Sequence, residues 1–244
     1  MTTAEPLIAL VGLGKKRQGR TVVSGVTLRL MPGQMVGLVG ANGGGKTTTL
    51  KMLAGLMTPD EGTGRVLGQD IVAENPERRL RLGYMPQRSS LYAELSVRQN
   101  LRFRAKVYGD PRPDATIAAA CARWGLDGIL DQRIATLSGG WSRRVQLVAA
   151  VLHAPPLILL DEPTAGLDIV TRNDLWCWLG ELAAAGHGIV IATHDLAEAE
   201  RCPSILHYQD GQVTGPTSPE ALIEMTSASS LETAVAALAS DRPA

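Results

Sequence analysis

The sequence predicts an α/β protein: a core of buried parallel strands with a helical subdomain inserted into it. Three observations carry that expectation. Apolar runs at residues 35–39 (MVGLV), 157–160 (LILL) and 189–193 (IVIAT) have the length and continuity of strands buried on both faces. A glycine-rich loop, GANGGGKTTT at residues 40–49, follows the first run and opens a helix-like segment. Between residues 89 and 150 the texture turns helical.

Taken in order, the first strand ends at Gly40. The segment KTTTLKMLAGLM then places Leu50, Leu53 and Leu56 at helical spacing, and Gly55 with Thr58-Pro59-Asp60 stops it. RLGYM, residues 81–85, is a weaker strand leading to Pro86-Gln87. ELSVRQNLRFRAKVYG predicts a helix with Leu95, Val97, Leu101, Phe103 and Val107 on its apolar face, ended by the breaker run GDPRPD. ATIAAACARWGL predicts another. Asp161 follows LILL and His194 follows IVIAT, so polar residues stand at the C-terminal ends of strands, where open α/β sheets place their ligands. SASSLETAVAALAS predicts a last amphipathic helix, with DRPA expected to fray. The organisation expected is one domain over residues 1–225, with the insertion at about 89–150, and a C-terminal helix and tail over 226–244.

Composition narrows the function classes. The chain has 244 residues, 45% hydrophobic and 20% charged, as in ordinary globular proteins. Lys+Arg and Asp+Glu are equal at 24 each, which gives no electrostatic case for nucleic acid as a direct partner. Cys121, Cys177 and Cys202 form no CxxC pair, so reduced thiols in a cytosolic compartment are expected. The first residues, MTTAEPLIALVGLG, lack the basic start of a signal peptide. No apolar run is long enough to cross a bilayer, so any spanning would fall to another chain.

The chemistry starts at Gly40-x-x-x-x-Gly45-Lys46-Thr47, which fits the phosphate-binding P-loop pattern. Glycines let the backbone turn tightly and bring its N–H groups onto phosphate oxygens. The positive end of the following helix adds to that field. Lys46 would reach the β- and γ-phosphates, and the Thr47 hydroxyl would ligate Mg²⁺. A chance glycine turn would lack the strand before and the helix after. At the end of LILL, Asp161 would hold Mg²⁺ and Glu162 could polarise an attacking water. Alone, Asp161-Glu162-Pro163 could equally be a helix start; beside a P-loop the catalytic assignment is preferred.

With these residues in view, the chain resembles an ABC-transporter ATP-binding cassette over nearly its whole length and in the family's motif order. GANGGGKTT is similar to the Walker A motif, with Gly40, Asn42, Gly43, Gly44, Gly45, Lys46, Thr47 and Thr48 as ATP-binding positions. Gln87 in GYMPQ stands at the Q-loop, Leu137-Ser138-Gly139-Gly140-Trp141 at the LSGGQ signature, LILLDEP at the Walker B, Asp168 at the D-loop and His194 at the switch histidine. The resemblance implies a P-loop NTPase sheet core with an inserted helical subdomain and a small antiparallel β part. It implies ATP and Mg²⁺ as ligands, with Glu162 activating water, His194 contacting the γ-phosphate, and Gln87 sensing Mg²⁺ and water. Ser138, Gly139 and Gly140 would then serve ATP held by a second ATPase subunit, with Asp168 at that interface. The implied assembly is a dimer, a homodimer by expectation, docked on transmembrane permease subunits at the inner, cytoplasmic face of the cell membrane.

Two departures stand out. The family usually has an aromatic residue that stacks on adenine, at about the position of Arg17 here, and no aromatic precedes Tyr84. Either Arg17 or a neighbouring lysine stacks instead, or KKRQGR is only a basic surface loop and base selectivity is weak. The signature ends in Trp141 rather than glutamine. Trp141, the RSSLYAELSVRQNL stretch, THDLAEAERC and SSLETAVAAL resemble ATPases of ABC-2-type exporters, whose cargoes include drugs, lipids and polysaccharides. The alternatives are a soluble ABC ATPase acting on the ribosome or nucleic acid, or an importer ATPase. The translation-factor branch carries two cassettes and the DNA-repair branch a long coiled-coil insertion, and neither is present in this sequence. The remaining histidines, Trp176 and Trp178 are expected to be packing residues, and Arg143-Arg144 a solvated or locally paired helix face.

Overall fold

The computed structural model describes residues 5–74 and 76–240. The expectation for DRPA lies outside them. The strands are β1 (Ile8–Arg17), β2 (Arg20–Leu30), β3 (Met35–Gly40), β4 (Glu61–Val66), β5 (Gln69–Asp70), β6 (Leu82–Met85), β7 (Leu157–Asp161), β8 (Gly188–Thr193), β9 (Ile205–Gln209) and β10 (Gln212–Thr217). They form one sheet in the order β5-β4-β1-β2-β10-β9-β3-β8-β7-β6. One half, β9-β3-β8-β7-β6, is parallel; β1, β2, β4 and β5 pair antiparallel.

The two halves differ in sequence texture for a physical reason. Every residue of β7 and β8 is buried, because helices cover both faces of the parallel half. Strand β2 alternates over its second half, with Val26, Leu28 and Leu30 inward and Thr27 and Arg29 outward, as a sheet wet on one face requires.

The helices are α1 (Lys46–Leu53), α2 (Pro76–Leu80), α3 (Val97–Val107), α4 (Pro113–Trp124), α5 (Gly139–Val151), α6 (Ile169–Ala184), α7 (Leu196–Ala199), α8 (Pro219–Met225) and α9 (Leu231–Ser240). Helix α1 has only eight residues, three of them threonines, so intrinsic propensity does not hold it. Leu50 and Leu53 hold it instead, fully buried under the sheet with Leu38 and Tyr208. Each such leucine contributes roughly 1.5–3 kcal/mol of burial. Leu56 departs from expectation: Gly55, at φ +67°, ends the helical path before it, and Leu56 is exposed.

The expected apolar face of α3 is corrected too. Val97 and Leu101 are buried, but Phe103 and Val107 are 43% and 49% exposed. Val97, Asn100, Leu101 and Ala105 form the buried stripe at i, i+3, i+4 spacing, and Phe103 lies on a different face. The helix begins at a capping box: Gln99 N–H donates to Ser96 Oγ (3.2 Å) and Ser96 N–H to Gln99 Oε1 (2.8 Å). Buried Asn100 accepts from Tyr92 N–H and donates to the carbonyls of Tyr92, Leu95 and Ser96, so it fixes the segment that follows Gln87.

Parallel register aligns the functional ends. Val39 pairs with Thr193, and Asp161 with Ala192. The residues that follow, Gly40, His194 and Glu162, therefore emerge side by side at one edge of the sheet.

Candidate functional site

The glycine loop is built so that it can turn only one way. Gly40 has φ +149°, and a Cβ there would fall 2.1 Å from the Tyr208 carbonyl oxygen. Gly45 has φ +103°, and its Cβ would meet Val22 O and Val23 Cβ at 2.8 Å. Neither place accepts a side chain. The loop is tied down from behind by the fully buried Tyr208 of β9, whose hydroxyl donates to Thr49 Oγ1 at 3.1 Å. Burial pushes that phenol above its ordinary pKa.

Lys46 opens α1 and folds back over the loop. Its Nζ donates to the Gly40 carbonyl at 2.5 Å and to the Ala41 carbonyl at 3.0 Å. Burial lowers the ammonium's pKa, while Glu162 and Asp161 oppose that shift. Thr47 Oγ1 donates to Asp161 Oδ1 at 3.1 Å. Asp161 is buried, which raises its pKa; the Thr47 hydrogen bond works against the rise.

Glu162 follows β7 in the left-handed region, at φ +52°, and its N–H donates to the Ala192 carbonyl at 2.9 Å. A non-glycine residue there costs about 1–3 kcal/mol and persists only where its surroundings over-determine it. Its Oε2 lies 2.8 Å from His194 Nδ1. The carboxylate side is buried and the imidazole half-exposed, so the pair has one side in the protein and the other open.

These groups share one cavity of about 330 Å³, lined by Val22, Asn42, Gly43, Gly45, Lys46, Thr47 and Thr48 together with Gln87 and Glu162. Asp161 and His194 adjoin it through Thr47 and Glu162. Arg17 does not line it; that residue ends β1 at an exposed hairpin, opposite Arg20. Val22 of β2 is the apolar lining residue that sequence inspection did not single out. A larger cavity, about 580 Å³, lies around Arg29, Gln34 and Arg201 and contains none of the motif residues.

A separate cavity of about 460 Å³ joins Ser138, Gly139, Gly140 and Trp141 with Arg144, Gly166, Asp168 and Thr171. Ser138 caps α5, accepting from Trp141 N–H. Asp168 caps α6, accepting from both the N–H (3.0 Å) and the hydroxyl (2.7 Å) of Thr171. The Ser138–Trp141 stretch and Asp168, expected from the resemblance to be signature and D-loop, thus line one cavity, and no residue is common to it and the cavity of the glycine loop.

Arg144 is not a solvated side chain. Its guanidinium carbon lies 5.0 Å from the Trp141 ring and 5.3 Å from the Trp178 ring, and it pairs with Asp174 on α6. Arg143 is half-buried; burial lowers its pKa, and the neighbouring Asp161 and Glu162 raise it. Gln146, on the same helix, donates to the carbonyls of Pro86 (2.9 Å) and Arg88 (3.3 Å), gripping the backbone on both sides of Gln87.

The part-buried pair Thr47–Asp161 offers a hydroxyl and a carboxylate oxygen, the hard donors Mg²⁺ prefers. The glycine loop and Lys46 supply a positive, side-chain-free cradle beside them, and the site suits a magnesium-bound phosphate chain.

Known proteins resemble the chain in sequence and in fold. A family model described as ABC transporter matches residues 23–165. The chain is 38% identical over 213 residues to the Nod factor export ATP-binding protein I of Paraburkholderia xenovorans, covering 86% of this chain and 70% of that one. It is 34% identical over 223 residues to the probable multidrug ABC transporter ATP-binding protein YbhF of Escherichia coli; the match takes in 91% of this chain but spans only 39% of that relative's length. Among solved structures, one described as an ATP-binding subunit of an ABC transporter superposes with a TM-score of 0.85 at 32% identity, covering 96% of this chain and 99% of the other. By its motif order, its sheet and these relatives, the chain belongs to the ATP-binding subunits of the ABC transporter family.

Proposed function

We propose that this chain hydrolyses ATP to drive a membrane exporter of the ABC-2 type. The observation that carries the reading is the Glu162–His194 pair, 2.8 Å apart, with Glu162 lining the same cavity as the glycine loop and Lys46. Lys46 would exchange its two loop carbonyls for phosphate oxygens. Thr47 and Asp161, with Gln87 beside them, would hold Mg²⁺, whose charge offsets that developing on the phosphates. Glu162 Oε would take a proton from the water that attacks the terminal phosphorus; the bond from phosphorus to the bridging oxygen breaks and ADP leaves. With a proton on Nδ1, His194 donates to Glu162 Oε2 and fixes the carboxylate.

The separate signature cavity supports a second copy as partner. Ser138, Gly139 and Gly140 would close over nucleotide held by that copy, at the first turn of α5. The permease would dock by the segment after Gln87. There Tyr92 and Phe103, 52% and 43% exposed, stack edge to face at 5.3 Å, an apolar patch of the kind that receives a partner. Among the described residues no helix is long and apolar enough to cross a membrane, so spanning would fall to that partner. The export direction is supported by the name of one relative, the Nod factor export ATP-binding protein I. We place the chain on the cytoplasmic face, where ATP is.

The test is a tagged pull-down from detergent-solubilised native membranes, with a cytosolic fraction beside it. A stoichiometric multi-spanning protein is the expected outcome. Ribosomal or DNA-bound partners in the cytosolic fraction, and none from membranes, would refute the exporter reading and leave the ATP chemistry standing.

A further inference from the structure

We propose that Glu198 is the positioning residue for the Glu162–His194 pair, an inference that rests on the hydrolysis reading above. Glu198 lies on the short helix α7 and is 2% exposed, a place a carboxylate takes only with partners. Its partners are two hydroxyls from different loops. Oε1 accepts from Thr164, and Oε2 from Thr193 at 2.8 Å. Thr164 stands two residues after Glu162, and Thr193 immediately precedes His194. One buried carboxylate therefore holds the backbone on which both members of the pair sit.

The far side of His194 is held too. Thr193 Oγ1 accepts from Asp195 N–H at 3.0 Å, and Asp195 Oδ2 pairs with Arg172 Nη1 at 2.8 Å. Arg172 Nε lies 3.9 Å from Glu198 Oε1, too far for a hydrogen bond but close enough for charge to act in a buried place. Glu162 sits at φ +52°, a conformation its surroundings must enforce. The hydroxyl of Thr164, anchored on Glu198, is one of the contacts that enforce it. Without Glu198 the turn is free to relax and the carboxylate of Glu162 to drift from His194. Glu198 touches neither the glycine loop nor the cavity, so its effect reaches the reaction only through the pair.

The experiment compares the full-length wild type with Glu198→Ala, Glu198→Gln, Thr193→Val and Thr164→Val. It reads kcat and KM for ATP, ATP affinity by calorimetry, Tm, and the His194 ring resonances in ¹⁵N-histidine-labelled protein, assigned with His194→Gln. A misplacement of this kind costs on the order of 100-fold in rate. Glu198→Ala is therefore expected to lose kcat on that scale while ATP affinity stays within about threefold, the split that marks loss of transition-state contacts alone. Glu198→Gln, which can accept from one hydroxyl and donate to the other, is expected to recover most of it, and the His194 resonances to move in the alanine and valine variants but not in the glutamine variant. An unchanged kcat in Glu198→Ala would overturn the proposal, as would equal loss of kcat and affinity in the alanine and glutamine variants, the mark of a merely structural role. If the alanine variant does not fold, the valine variants decide: a fall in kcat at constant affinity supports the proposal and an unchanged kcat overturns it. A wild type that does not hydrolyse ATP would refute the hydrolysis reading, and His194 resonances unmoved by Glu198→Ala or the valine variants would still overturn this one.

Discussion

The hydroxyl of Thr47 donates to Asp161 Oδ1 at 3.1 Å, joining the first turn of α1 to the end of β7 across 114 positions of sequence. Asp161 is buried and Thr47 partly so, and each oxygen is of the kind that holds Mg²⁺. Asp161→Asn keeps an oxygen that can accept from Thr47 and removes only the charge. Hydrolysis should then need at least ~10-fold more Mg²⁺ for half-maximal rate, the scale on which altered metal surroundings act. A Mg²⁺ titration of ATPase rate checks this; an unchanged requirement would remove Asp161 from the metal site.

Lys46 and Glu162 should separate binding from turnover. Lys46→Ala removes the ammonium now held by Gly40 and Ala41, and with it the main positive side chain of the cradle. ATP affinity measured by calorimetry should fall by about 100-fold, in keeping with a lost charge-assisted contact of 2–3 kcal/mol. Glu162→Gln keeps the size of the side chain and loses the base. Affinity should persist, turnover should vanish, and a dimer should accumulate with ATP on a sizing column. Hydrolysis at the wild-type rate in Glu162→Gln would end its assignment as general base.

How far the sequence was legible depended on distance along the chain. The glycine loop, the LILL and IVIAT strands and the family resemblance were all readable, because each rests on contiguous residues whose backbone chemistry is local. Gln87 could be placed beside Lys46 only through the resemblance, and the structure does bring it to the same cavity. Tyr208 and Gln146 act on residues far from them in sequence, and nothing in their own neighbourhoods marks them; Glu198 stands in the THDLAEAERC run beside His194, but its second partner, Thr164, is 34 positions away, so its bridging place shows only in the fold. For Arg144 the sequence allows a solvated or a locally paired side chain; Trp141 is a local partner on the same helix, whereas Trp178 and Asp174 lie on α6 and only the fold brings them to it. Phe103 and Val107 were given to the core of α3 by apolarity alone, whereas the capping box at Ser96 and the stripe from Val97 to Ala105 were the better guide. Arg17 remains a residue at an exposed hairpin end, outside the cavity.

His153 gives the fold an acid-sensitive element. Its ring stacks on Tyr108 at 3.6 Å and 8°, and burial pushes its pKa down to about 4. Unfolded, the same imidazole titrates near ~6.5. As pH falls, the unfolded chain takes up this proton first, so stability is full above about 6.5, declines between ~6.5 and ~4, and is constant in this respect below. The gap sets a ceiling of ~3 kcal/mol, which solvent at the partly exposed ring reduces to about 2 kcal/mol. His153→Phe keeps the stack and has nothing to titrate. Thermal melts from pH 7 to pH 4 should show the wild type losing more stability than the variant; parallel curves would remove His153 from the account.

The last expectation concerns the join between α5 and α6. Arg144 lies between Trp141 and Trp178 and pairs with Asp174, with its side chain only 17% exposed. A guanidinium plane suits this place because it stacks on two rings while its edge serves the carboxylate. Lysine keeps the charge and loses the plane. Arg144→Lys should therefore destabilise the protein by about 1–2 kcal/mol, a fall in Tm of several degrees for a chain of this size. Trp141→Gln should cost less, since Trp178 and Asp174 still hold the guanidinium. Trp141 lines the cavity at Ser138–Gly140, so an indole released by Arg144→Lys should also become more solvated, and its emission, obtained by subtracting the spectrum of the matching Trp141→Phe variant, should shift to the red. Melting at the wild-type temperature with unshifted emission would mean that the stack carries no energy, and that the two helices are joined by their apolar contacts alone.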